Sequence, residues 1–165
     1  YNSSRGQITW ITCRGDCLAS ISSPRIKEIL VGFDENRRKM PETEEFTGGN
    51  FSGSVSVKLN LDLLSATGSI ENALIGANRA YGFGSINSIF AEDGLTNTTI
   101  SFNRKATRIM VGYENGKRNR IVNTAADVSG DFRGPRLGRL YYTGENTADL
   151  SVSRVGPVID DVPGN

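Results

Sequence analysis

Apolar and polar side chains alternate most strictly between Ser54 and Leu63, where Val55, Val57, Leu59, Leu61 and Leu63 interleave with Ser54, Ser56, Lys58, Asn60 and Asp62. A period of two turns one row toward a core and the other toward water; a helix would scatter the five apolar residues around its circumference. Leu59 is therefore expected in the core. The same criterion gives strands at residues 7–12, 25–33, 98–102, 106–113, 139–143 and 149–155. Gly48-Gly49-Asn50, Glu114-Asn115-Gly116 and Gly144-Glu145-Asn146 separate them as turns, and Asn115-Gly116 suits a type I′ hairpin. A short helix is admissible at 69–76, with Ser69 as its cap. The pattern predicts an all-β fold, an antiparallel sandwich or β-prism with at most one short helix.

A weak internal similarity runs through these strands. Ile29-Leu30-Val31-Gly32-Phe33-Asp34 returns as Ile109-Met110-Val111-Gly112-Tyr113-Glu114, and Gly49-Asn50-Phe51-Ser52-Gly53 is echoed by Gly130-Asp131-Phe132-Arg133-Gly134. Trp10 meets Phe90 in nearly the same register. An internal two-fold repeat is one reading; the other is that amphipathic hairpins with glycine turns resemble one another. Either way, residues 1–155 form a single domain, with halves 1–80 and 81–155 too small to hold separate cores. The glycines and prolines of 156–165 suggest a flexible tail.

Composition narrows the chemistry. The chain has 165 residues, 37% of them apolar and 22% charged, enough to bury a core. With 19 Lys and Arg against 18 Asp and Glu, the formal charge is +1, which argues against a nucleic-acid partner. The absence of histidine removes Ser-His-Asp and Cys-His nucleophile systems, the usual zinc sites and the commonest neutral-pH base. A non-enzymatic protein without metal or cofactor is expected. No apolar run approaches a membrane span.

Cys13 and Cys17 flank Arg14-Gly15-Asp16. Each thiol has only the other as an intrachain partner, so a Cys13–Cys17 disulfide is expected, and with it a secreted, extracellular protein. A closed loop would preorganise Arg14, Gly15 and Asp16 for a cell-surface receptor; a plain turn is the simpler reading. Three Asn-x-Ser/Thr triplets, at Asn2, Asn50 and Asn97, are glycan acceptors if the chain is secreted in a eukaryote. The acidic groups Glu92-Asp93, Asp160-Asp161 and Glu42, Glu44, Glu45 are expected to be solvated, and Glu92, Asp93 and Asp127 lack the spacing of a calcium loop. Arg37-Arg38-Lys39 and Lys117-Arg118-Asn119-Arg120 could hold phosphate or a sulfated sugar, or simply cap hairpins.

Asn78-Arg79-Ala80-Tyr81-Gly82-Phe83-Gly84, then Ser88-Ile89-Phe90 and Glu92-Asp93-Gly94, resemble a succession found in jacalin-related lectins. Residues 26–36 and 56–61 are similar to strands of that family. The resemblance implies a β-prism that binds sugars through loops at one end, with a Gly-x-x-x-Asp loop near the C-terminus. The nearest match here is Gly144 to Asp149, one residue too long, and the Pro of the Tyr-Gly-Pro segment is missing. These readings converge on a secreted, lectin-like recognition protein, with Gly144, Asn146, Asp149 and Tyr141 as sugar ligands beside Tyr142. A second candidate loop is Gly48 to Gly53 with Phe46 and Phe51. The rivals are an effector, toxin or adhesion ligand acting through Arg14-Gly15-Asp16, and a structural surface subunit; a homo-oligomer suits any of them.

Overall fold

The computed structural model describes residues 6–77, 84–116 and 118–161. It has eleven strands: β1 (Gln7–Cys13), β2 (Cys17–Val31), β3 (Phe51–Ala66), β4 (Ser69–Glu71), β5 (Leu74–Ala77), β6 (Ser85–Ala91), β7 (Gly94–Phe102), β8 (Lys105–Val111), β9 (Asp127–Tyr142), β10 (Asp149–Val155) and β11 (Val158–Asp160). The described residues contain no helix. Where a capped helix was admissible, β4 and β5 follow one another.

All the pairings between these strands are parallel. This corrects the expected antiparallel sandwich or β-prism. Alternation reveals which side of a strand is buried but not which way its neighbour runs. Turns such as Gly144-Glu145-Asn146 are corners that carry the chain between layers, not hairpins joining paired neighbours.

The winding follows from the ends of β3. The Thr67 N–H donates to the Val31 carbonyl (3.0 Å) and the Gly68 N–H to that of Gly49 (2.9 Å), so the strand finishes beside the residues that precede its start. A straight strand of sixteen residues would stretch about 50 Å; β3 must bend back. Its pairing with β5 ends at Val57 and that with β6 begins at Asn60, which puts the bend at Lys58-Leu59. β2 shifts register around Pro24, and β9 changes partner from β7 to β8 around Pro135. Proline is tolerated at such bends because no ladder hydrogen bond is lost there.

The chain thus winds as a flattened parallel solenoid. Layer A stacks, in chain order, β1, the second halves of β2 and β3, β6, β8, the second half of β9, and β11. Layer B stacks the first halves of β2 and β3, then β4 and β5, β7, the first half of β9, and β10. In connectivity β3, β4, β7, β9, β8 and β6 close a six-stranded parallel barrel. The ring closes because β3 and β9 each serve both layers.

Between the layers, like residues stack in columns. Ile8, Ile26, Leu61, Ile86, Ala106 and Leu137 form one; Ile11, Ile29, Leu64, Ile89, Ile109 and Leu140 form the next. Facing them, Ile21, Val55, Ile75, Ile100 and Phe132 align in layer B. These belong to one continuous core. Leu59 is a correction: it sits at the bend, half-buried, and Leu63 packs on the outside of layer A with Phe90 and Met110. The inward row keeps its parity across the bend, from Val57 to Leu61, with Leu59 lost to the corner. It then steps three residues, from Leu61 to Leu64, which turns Leu63 outward although the sequence goes on alternating.

Two long excursions leave one end of the solenoid, hereafter the loop end, at equivalent corners. Gly32 and Gly112 have φ of 88° and 90°, and their N–H groups donate to Cys13 and Ala91. A Cβ at either position would overlap a threonine hydroxyl, Thr67 or Thr143 respectively. Each excursion then forms a small antiparallel bridge, Phe33 with Lys39 and Tyr113 with Ile121. The second pair of similar segments is out of register. Phe51 aligns through Ile70 and Leu95 with Val128, whereas Phe132 stands in the column of Val55. Likewise Phe90 shares its column with Thr12, not Trp10. Within the segment expected as a flexible tail, 158–160 form β11, and the Tyr113 hydroxyl donates to Asp161.

Candidate functional site

At the loop end the charges between the cysteines are engaged. The Arg14 guanidinium pairs with Glu35, and Asp16 accepts the Asn50 N–H at 2.9 Å. Gly15 stands clear. The Cys13 and Cys17 Sγ atoms lie 2.8 Å apart as thiols. Their hydrogen bond lowers Cys13 to a pKa of about 7 and raises that of Cys17, which burial raises further.

The expected sugar ligands do not converge. Gly144 donates its N–H to Ala126 (2.9 Å), and the Asn146 side chain accepts the Ala148 N–H (3.1 Å), both within a closed corner. Tyr141 packs edge-on to Tyr113 on the outside of layer A, with ring centroids 6.1 Å apart. Asp149 pairs in register with Asp131 on the opposite outer face, that of layer B. Tyr142 packs against the core, Phe51 is fully buried and Phe46 half-buried. Of the sequons, Asn50 accepts the Ser69 N–H (2.8 Å), Asn97 donates to Asn72 (2.6 Å), and Asn2 lies outside the described residues, as do 78–83.

The acidic clusters are structural or solvated. Glu92 is buried against Lys39 (2.6 Å); loss of hydration holds its pKa above the ordinary carboxylate value despite that pairing. Asp93 accepts from Asn123 (3.2 Å) and Asp127 from the Glu145 N–H (2.8 Å). Glu42, Glu44 and Glu45 are exposed in the first excursion. No group of three metal-ligating side chains occurs among the described residues.

The basic runs singled out in the sequence are largely neutralised: Arg37 by Glu28, Arg38 by Asp34, Lys39 by Glu92 and Arg120 by Glu114. Lys117 lies outside the described residues, while Arg118 is exposed. A different set of cations stands together on the outside of layer A, toward the end opposite the loops. Two clefts that share Asn87 open there. One, of about 480 Å³, is lined by Arg25, Asn60, Asp62, Ser85, Arg104 and Lys105 as well as Leu59. The other, of about 540 Å³, is lined by Ser88, Thr107, Arg108, Arg136, Gly138 and Arg139.

Register builds this surface. Arg25, Asn60, Ser85 and Lys105 are successive partners in the ladder, and so are Ser88, Arg108 and Arg139. The Arg108 guanidinium lies over the Phe90 ring at 5.1 Å, and its Nε donates to Ser88 (2.8 Å). No salt bridge among the described residues involves Arg25, Arg104, Lys105, Arg108, Arg136 or Arg139. These residues come from three separate stretches, Arg25, Arg104 to Arg108 and Arg136 to Arg139, so no single charge run reveals the surface. The available signal is positional: Arg25-Ile26, Lys105-Ala106 and Arg136-Leu137 each place a cation just ahead of the same inward column.

No helix among the described residues is long and apolar enough to cross a membrane. No family model, curated protein or solved structure matches the chain.

Proposed function

We propose that this is an extracellular, non-enzymatic carbohydrate-recognition protein whose binding surface is the outside of layer A. One observation carries the reading. Asn87, Asn60, Ser85 and Thr107 line adjoining open clefts, interleaved with arginines, on strands rather than loops. Short amides and hydroxyls are the groups that exchange hydrogen bonds with sugar hydroxyls, and a rigid sheet holds them without an ordering cost. The receptor reading through Arg14-Gly15-Asp16 has less support, because Asp16 is bonded to Asn50 and Arg14 to Glu35.

Titration calorimetry against neutral and acidic oligosaccharides tests the reading. Binding tighter than about 1 mM, equivalent to about 4 kcal/mol, is expected for at least one class. Silence across the panel would sink it.

Oxidation of Cys13 and Cys17 to a disulfide belongs to the same extracellular proposal. Cys13, with its pKa near 7, is the more readily ionised thiol. Protein kept from reductant should resist alkylation at both residues, and two rapidly alkylated thiols would exclude the bond.

A further inference from the structure

We infer that the ligand of layer A is an acidic polysaccharide carrying one carboxylate per sugar, lying along the solenoid axis across successive rungs. This inference rests on the carbohydrate-binding reading above and names its substrate class.

Three observations carry it. First, the chain sorts its charge. With a formal total of only +1, it neutralises the cations of its excursions with Glu28, Asp34, Glu92 and Glu114, yet leaves those of the clefts without ion pairs among the described residues. Second, Arg108 and Arg139 are direct neighbours in register, and Lys105 and Arg136 each precede a paired residue on the same two rungs. Like charges opposite one another weaken a sheet, and a bound polyanion would reverse that penalty. Third, rungs recur every ~4.8 Å, close to the advance of one pyranose along an extended chain. A polymer with one carboxylate per ring can thus meet a cation at each rung, while Asn87 and Thr107 reach ring hydroxyls. Guanidinium groups suit this task because they grip carboxylates with two parallel hydrogen bonds. Nucleic acid fits less well, since neither cleft is lined by an aromatic ring on which bases could stack.

The test compares polygalacturonate oligomers, their methyl esters, a sulfated glycan and duplex DNA, using the full chain and two charge-matched variants. Arg136→Ala/Arg139→Ala removes exposed cations of the proposed surface. Arg38→Ala/Arg120→Ala removes cations already paired with Asp34 and Glu114. The polyuronate should bind, weaken steeply between about 50 and 200 mM salt, and lose at least about tenfold in affinity in the first variant but not the second. Circular dichroism confirms that both variants are folded, and retained Cys13–Cys17 chemistry gives a second readout of the native loop end. Equal binding of the methyl ester, or preference for the sulfated glycan, would overturn the carboxylate inference and leave carbohydrate recognition standing. Tighter binding of DNA through the same arginines, or no binding of any glycan, would overturn both.

Discussion

Glu92 shows how much a single side chain is asked to tolerate. Its carboxylate is nearly sealed from water at the corner between β6 and β7, with Lys39 reaching in from the first excursion. Desolvation lifts the folded-state pKa above that of the unfolded chain, and the lysine only partly opposes it. The folded protein therefore holds this proton more tightly. The group's contribution to stability is fullest below the unfolded value and is lost as pH rises through the folded one. Glu92→Gln removes the titration. Denaturation midpoints of the unmutated chain should fall relative to the variant as pH climbs out of the ordinary carboxylate range, and parallel profiles would contradict the assignment.

At the scale of the element, the bent strand decides what a substitution costs. Leu61 is fully buried in an inward column, so Leu61→Ala should cost about 2–5 kcal/mol. Leu59, two positions earlier, lines a cleft at the bend, so Leu59→Ala should cost clearly less. Urea denaturation of the two variants checks this, and equal losses would mean that β3 does not turn at Lys58-Leu59. The alternation from Ser54 onward was enough to find the strand and its inward Val55, Val57 and Leu61. It could not locate the bend, since lysine followed by leucine continues the same pattern. The segment 149–155 was legible in full, because the Gly144-Glu145-Asn146 turn before it and Gly156-Pro157 after it delimit it. Residues 69–76 were ambiguous because a short apolar run bounded by serine and glycine satisfies a capped turn of helix as well as two short strands.

At the scale of the molecule, parallel winding was hidden for a simple reason. Its rungs are separated by unequal steps of sequence, from eighteen positions for Gln7 and Arg25 to thirty-five for Ile26 and Leu61. A fixed period would have announced a solenoid; the two excursions erase it. The same irregularity concealed the candidate binding surface, whose arginines acquire neighbours only through the ladder, while the loops that drew notice, at Arg14 and at Gly144, prove to be bonded to neighbouring segments, at Glu35, Asn50 and Ala126. The matching corners at Gly32 and Gly112 were visible as a weak similarity, and there the sequence carried the geometry directly. Each glycine occupies a conformation that side chains resist, against a threonine that leaves no room for one.

Those two corners also determine where this protein is free to vary over evolutionary time. The first excursion departs at Gly32 and returns at Gly49, which packs against Gly32 itself, so the intervening residues add nothing to the distance the coil must cover. Lengthening such a segment costs only the slowly growing entropy of a larger loop, about 0.6 kcal/mol for each doubling. Insertions and deletions there would change what is displayed above the coil and leave the stacked columns untouched. An added residue within β3 would instead turn a whole row of side chains inside out. Descendants of this chain can therefore be expected to differ most in the length of residues 33–48 and 113–126 and least in the spacing of the rungs.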